Sequence, residues 1–323
     1  MKQGIFTISL DMELYWGIRD EVPLERARQR LLGDREVVPR MLDLFARFDI
    51  QATWAVVGFL FFDGRDELMA ALPSVRPRYV NRALDPYEAV ARLGASERED
   101  PFHFAPSLVK RILGAPNQEI GTHTFSHFYC LEPGQTKDAF RDDIRAAKTA
   151  AARIGANVRS IVFPRNQCQL DYLEVCAEED IIAYRGNPKH WMYRAAAGSD
   201  SPLKRGARLL DAFVNVSGAQ RYVPPRTMGR APINVPASRF LRPWNRRLAR
   251  LRPLQLRRIK NEMTIAAERG ALYHLWWHPH NFGLDQTENL AGAREIFEHY
   301  EQLRDRHGMK SLAMREAAAE WGA

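Results

Sequence analysis

Glu119-Ile120-Gly121-Thr122-His123-Thr124-Phe125-Ser126-His127 is the stretch on which the reading of this chain turns. Gln118 to Thr122 reads as a short strand that delivers two histidines, His123 and His127, four residues apart. In a helix or tight helical turn, positions i and i+4 lie on one face. Two imidazoles on one face can share a metal ion through neutral ring nitrogens. Gly121 is expected to let the backbone turn, and Thr122 to cap the turn that follows. The spacing alone is a weak signal among nine histidines, so its meaning depends on what the other strand ends carry.

Working outward, Ile5 to Leu10 alternates large apolar with small polar residues and reads as a strand. It runs into Asp11-Met12-Glu13, where alternation puts both carboxylates on one face. Ile50 to Val57 is a second strand ended by Gly58, and Val158 to Phe163 a fourth, ending in Pro164-Arg165-Asn166. Ile181 to Tyr184 is a short strand, and Leu209 to Val216 is read as another. Ala271 to Trp277 is the last clear strand, followed by His278-Pro279-His280-Asn281. Helices are expected over Pro23–Phe48, Pro133–Ile154, Leu170–Glu179 and Asp285–Arg304, the last capped by Asp285 or Thr287. The charged run Ser96 to Asp100, within a loop-and-helix insertion near 61–116, looks solvent-exposed. Alternating strands and helices predict a mostly parallel α/β sheet, with polar groups gathered just past the strand ends.

The chain has 323 residues, 46% hydrophobic and 27% charged, ordinary for a globular protein with a substantial core. The short apolar run at the start ends in Asp11 and does not read as a signal peptide, and no stretch approaches a membrane span. The three cysteines, Cys130, Cys168 and Cys176, form no CxxC pair and fit a reducing compartment as buried small residues. A cytoplasmic protein, soluble or peripheral to the inner membrane face, is the expectation.

Five ordered segments resemble the polysaccharide deacetylases, carbohydrate esterase family 4. They are Thr7–Glu13, Ala52–Gly58, Glu119–His127, Phe163–Arg165 and Leu275–Pro279. The resemblance covers most of the chain up to about 185 and again from about 271. It implies an incomplete, distorted (β/α)7-type barrel, one domain over 1–323 with insertions near 61–116 and 186–262. It also implies a metal-dependent hydrolase that removes N- or O-acyl groups, most often acetyl from amino sugars. With the intracellular expectation, the reading is removal of an N-acyl group, acetyl or formyl, from an amino sugar or its nucleotide- or lipid-linked precursor. Carried over, His123 and His127 are metal ligands, Asp11 the catalytic base, Arg165 its orienting partner and His278 the acid. The family pattern has two adjacent aspartates, but here Met12 follows Asp11, so Glu13 is expected as third ligand. The metal is expected to be zinc. A backbone N–H near the His123 turn is expected to help hold the oxyanion. Trp16, Trp277, His280 and Asn281 are candidate substrate contacts, with Trp276 a further stacking candidate, while core packing is expected for at least one tryptophan. His274, inside its strand, reads as structural. A metal-independent amidase and a non-catalytic carbohydrate-binding relative stay open as alternatives.

From Arg221 to Lys260 twelve basic residues occur with no acid between them. Phe240, Leu241, Trp244, Leu248, Leu251 and Leu254 are interleaved, and Pro243 and Pro253 argue against one continuous helix. A solvated basic insertion, an anionic membrane surface or a phosphate-bearing sugar carrier each fit this pattern. No nucleic-acid motif accompanies the charge.

Overall fold

The computed structural model describes residues 3–198, 201–223 and 231–322. Arg226 and Arg230 of the basic run lie outside the described residues. Among the described residues nine strands form one sheet: β1 Ile5–Met12, β2 Ala52–Val56, β3 Gln118–Thr122, β4 Ser160–Ile161, β5 Ala183–Tyr184, β6 Ile233–Asn234, β7 Arg239–Phe240, β8 Leu272–Trp277 and β9 Lys310–Ser311. The order is β6-β5-β4-β3-β2-β1-β8-β7, with β9 paired to the start of β1, and every pairing between these strands is parallel. The result is a curled parallel half-barrel wrapped by helices, the incomplete barrel expected. One segment bridges its two edges. Val235 N–H donates to the Tyr184 carbonyl at 2.9 Å and Ala237 N–H to Gly186 at 2.9 Å, whereas Ser238 N–H donates to His274 at 2.8 Å.

β1 is buried along its whole length and lies between β2 and β8. Its large residues Phe6, Ile8, Leu10 and Met12 join the main apolar core. Thr7, Ser9 and Asp11 take the opposite face, where only short side chains fit beside neighbouring strands. The helix Leu24–Arg47 buries Leu31, Val37, Val38, Met41 and Phe45, the 3–4 spacing of an amphipathic helix.

Several elements differ from the sequence reading. Leu209–Val216 is no strand. Pro202–Asp211 is a helix whose N-cap Ser201 accepts from Lys204 N–H, and Asp211 then accepts from Val216 N–H at 3.1 Å and Ser217 N–H at 2.7 Å. Proline at the first helical position and the Ser cap outweigh the β-leaning Leu-Leu and Val residues. The helix Gln286–His307 has Asp285 at its N-cap with φ 48°, and neither Asp285 nor Thr287 caps it through a side chain. In the 61–116 region, Glu97 and Asp100 are not solvated but half-buried. Glu97 pairs with Arg35 at 2.6 Å and Asp100 with His103 at 2.8 Å.

The basic segment is not simply solvated either. Arg239 and Arg258 are buried, and both bond Asp211 and Glu262, with Arg239 Nη2 2.7 Å from Glu262 Oε1 and Arg258 Nη2 3.1 Å from Asp211 Oδ1. This closed network of two cations and two anions fastens the helix Pro202–Asp211 to β7 and to the helix Arg252–Glu268. As expected, the prolines prevent one long helix: Pro253 sits in the first turn of Arg252–Glu268, after the 3-10 turn Arg246–Leu251.

Candidate active site

Because the strands are parallel, their C-terminal ends all open on one rim. The residues just past these ends are Glu13, His123, Arg165, Arg185 and His278. With Asp11 they meet at a cleft of about 720 Å³, which all but Arg185 line.

His123 and His127 do converge, but not on a helical turn. Thr124 and His127 have φ of 64° and 59°, and these left-handed residues fold the chain back so that the two rings stand 5.0 Å apart. Gly121 does not make the turn. It lies within β3, where a Cβ would sit 3.0 Å from the Ser160 carbonyl. Nor does Thr122 cap it: Thr124 Oγ1 accepts from Phe128 N–H at 2.6 Å. Asp143 secures the turn from below, accepting from Phe125 N–H at 2.6 Å and Ser126 N–H at 3.2 Å. His123 N–H is engaged by Val56 and Tyr129 N–H by Tyr79. The N–H groups of His123, Phe125, Ser126, Phe128 and Tyr129 therefore have acceptors already, and the expected oxyanion donor is not among them.

Glu13 Oε2 lies 3.3 Å from His123 Nε2 and 3.2 Å from His127 Nε2. Ligand atoms of these three residues all fall within 4.8 Å of one another. His123 Nδ1 meets the Val162 carbonyl at 2.8 Å, which puts the ring proton on Nδ1 and leaves the Nε2 lone pair toward Glu13. Burial lowers His127 to about 4, so this imidazole is neutral, as a ligand must be. Burial opposes ionisation of Glu13, but His278, His123 and His127 outweigh it and hold the carboxyl well below its usual range. One carboxylate and two imidazoles fit a divalent first-row cation with positions left open.

Asp11 is held differently. The guanidinium that grips it is Arg185, at 2.6 Å to Oδ1 and 2.7 Å to Oδ2, a two-point fork. Arg185 also donates to Ser9 Oγ at 3.0 Å and Asn166 Oδ1 at 3.0 Å, and stacks 4.1 Å over the Trp276 ring. Burial raises the Asp11 pKa, but Arg185, His123 and His278 more than offset it, leaving the value lowered. Arg165, expected in this role, points elsewhere. Arg165 and Asn166 have φ of 51° and 53°, and the turn sends Arg165 to Asp20, to Glu21 at 3.2 Å and over the Tyr129 ring at 4.6 Å. Arg185 went unrecognised although the signal was the same: an apolar run, Ile181 to Tyr184, ending in an arginine.

His278 faces both acids, its Nε2 3.7 Å from Asp11 Oδ2 and 3.5 Å from Glu13 Oε1. Asn281 Nδ2 lies 3.3 Å from His278 Nδ1, which orients the ring and leaves Nε2 to carry the proton. Asn281 thus reaches His278 and is absent from the cleft lining. His280 is buried, stacked on His278 with centroids 5.2 Å apart, and burial lowers it to about 3. Trp16 and Trp277 are core residues, not cleft walls. Trp16 is fully buried with Nε1 donating to the His103 carbonyl at 2.9 Å, and Trp277 stacks on Phe282 with centroids 5.6 Å apart. Trp276, one residue along β8 from Trp277, is the tryptophan that lines the cleft, since alternation sends neighbours to opposite faces. His274 is structural as read, bonding Val235 O at 2.9 Å and Ser9 Oγ at 2.8 Å.

Residues 32–181 match the family model for polysaccharide deacetylase. The matched stretch, just under half of the chain, resembles the polysaccharide deacetylases. No curated relative matches the chain. Among solved structures, a Mycobacterium smegmatis protein assigned as a polysaccharide deacetylase is similar over 100% of this chain and 91% of its own, at 14% identity and TM-score 0.60. A Pseudomonas aeruginosa PAO1 protein assigned likewise is similar over 99% and 91%, at 12% identity and TM-score 0.54. A 4-alpha-glucanotransferase from Thermococcus litoralis is similar over 99% of this chain and 40% of its own, at 10% identity and TM-score 0.51. These likenesses show the deacetylase fold. The last shows that one barrel can carry a different carbohydrate chemistry, so the reaction must be argued from the rim residues.

Proposed function

We propose that this chain hydrolyses the N-acyl group, acetyl or formyl, of an amino sugar, with a divalent metal, zinc by donor preference, held by Glu13, His123 and His127. The observation that carries the reading is the Asp11–Arg185 fork beside that trio, with His278 facing both carboxylates. When bound, such a metal polarises the acyl carbonyl and lowers the pKa of water. Asp11, kept ionised and aimed by Arg185, takes the proton from the attacking water. His278, aimed by Asn281, gives its Nε2 proton to the departing nitrogen. Trp276 and Phe240 give the sugar an apolar wall.

The substrate in this reading bears phosphate, as a nucleotide- or lipid-linked precursor. Arg205, Arg208 and Arg242 line the same cleft. Burial and the nearby Arg208 cation lower the pKa of Arg242, a mutual repulsion that a substrate phosphate would relieve. The free thiols of Cys130, Cys168 and Cys176 support a cytoplasmic setting.

The test combines metal analysis with an acyl-release screen over free, nucleotide-linked and lipid-linked acylated amino sugars. Purified protein should hold about one metal per chain, and His123→Ala/His127→Ala should hold none. Acetate or formate should be released only by the metal-loaded form. Equal metal in both proteins would remove the site, and release that persists without metal would favour a metal-independent amidase.

A further inference from the structure

The helix Pro202–Asp211 stands at the cleft mouth and has two unlike stripes. Arg205, Arg208 and Ala212, at spacings of three and four, line the cleft. Leu203, Leu210 and Val214, at spacings of seven and four, turn outward and are 73%, 54% and 52% exposed. An outward aliphatic stripe on a helix is expected to be covered by something. Among the described residues, eight of the fifteen exposed large apolar side chains fall between Leu203 and Leu254. They are therefore concentrated on this insertion instead of being scattered singly over the surface.

Leu251 and Leu254 are also exposed. Arg258, one turn after Leu254, donates to the Val214 carbonyl and pairs with Asp211, so the two helices meet there. In the same insertion Arg246, Arg247, Arg250 and Arg257 are exposed. Asp211 is the single acid between Ser201 and Lys260, and it is buried and bonded by Arg239 and Arg258. No carboxylate of this segment offsets the exposed cations.

We propose that this face docks the cleft mouth onto an anionic lipid surface. Aliphatic side chains ringed by arginines suit the boundary between headgroups and acyl chains. A second copy of the chain would set the same cations against one another. A nucleic acid would leave Leu203, Leu210 and Val214 in water, since base recognition uses stacking rings or hydrogen-bonding groups. The helix lies on the surface and does not span it: among the described residues no helix is long and apolar enough to cross a membrane. The inference does not depend on the proposed reaction.

The experiment is co-sedimentation of the full chain with phosphatidylglycerol–phosphatidylethanolamine vesicles and with phosphatidylcholine vesicles, at low and high salt. Binding should favour the anionic vesicles and fall at least tenfold at high salt. Arg246→Gln/Arg247→Gln/Arg250→Gln should weaken it on the order of a hundredfold, taking about fivefold per cation. Leu203→Ser/Leu210→Ser should weaken it about tenfold and, unlike the arginine variant, preserve the salt dependence. Circular dichroism checks both folds, and if the leucine variant unfolds, the arginine variant and the salt series decide. Acyl release from a water-soluble substrate should be unchanged in either variant. Failure to bind anionic vesicles at low salt would overturn the proposal. So would retention of binding by both variants, an equal affinity for an oligonucleotide that survives the leucine changes, or self-association that those changes abolish.

Discussion

Replacing Arg185 with Met tests the structure most sharply. The Arg185 side chain is fully buried and that of Asp11 is 4% exposed. The Arg185→Met variant therefore leaves a carboxylate in the interior without the two charge-assisted hydrogen bonds it has at 2.6 and 2.7 Å. Breaking one side of such a pair costs about 3–5 kcal/mol, a large fraction of a typical domain stability. Burial is the largest influence on Asp11 and Arg185 the largest opposing one. Without the arginine the carboxyl pKa must rise. The lowered value of the intact pair means that its stabilisation is present above pH 3.8 and is lost as pH falls through the folded value. In the variant that stabilisation shrinks, and once the folded value passes 3.8 it reverses, so that ionising Asp11 as pH rises destabilises the fold, while the acid limb of the rate profile moves up. Urea unfolding followed by tryptophan fluorescence gives the stability term, and acyl release against pH gives the rate. Turnover at neutral pH should fall roughly 10²–10⁴-fold, the scale of acid–base groups. Arg185→Lys keeps a charge but not the fork, and should lie between. The Asp11→Leu/Arg185→Met double variant should be less destabilised than the sum of the single changes. Strict additivity, or a loss below about 1 kcal/mol in Arg185→Met, would refute the argument that this pair sustains the site.

Arg165→Ala should cost about 1 kcal/mol or less and under tenfold in turnover, because its partners are Asp20 and Glu21 at the rim. A loss equal to that of Arg185→Met would return Arg165 to the mechanism. Gly17→Ala should lower metal affinity by about 10–100-fold with the fold intact, since a Cβ there overlaps the Glu13 carboxylate. Unchanged metal content under a limiting chelator would show that Glu13 is not a ligand. Asp34 is buried with both oxygens unpartnered, and burial raises it to about 8. The stability of its neutral form is complete below its unfolded value near 3.8 and fades as pH rises through about 8. Between pH 5 and 9 the wild-type urea midpoint should therefore fall relative to Asp34→Asn, and parallel curves would contradict the raised value.

The order of strand-end motifs was legible from sequence because it rests on short-range rules. Alternation put Asp11 and Glu13 on one side of β1, and apolar runs ending in polar residues marked the rim at Glu13, His123 and His278. Those rules depend only on backbone periodicity and on the parallel sheet that strand–helix alternation demands. Partner choice was not legible. Arg165 and Arg185 both follow short apolar strands, and only the left-handed turn at Arg165 and Asn166, with the curl of the sheet that brings β5 toward β1, sends one to Asp20 and the other to Asp11. Trp16, Trp276 and Trp277 look alike on paper, and strand alternation with core packing decides which one lines the cleft. The basic segment shows the same division. Sequence established its charge, but tertiary structure buried Arg239 and Arg258 against Asp211 and Glu262 while leaving Arg246, Arg247 and Arg250 exposed. Composition counts charges along the chain, whereas pairing depends on which distant residues the fold brings within a few ångströms.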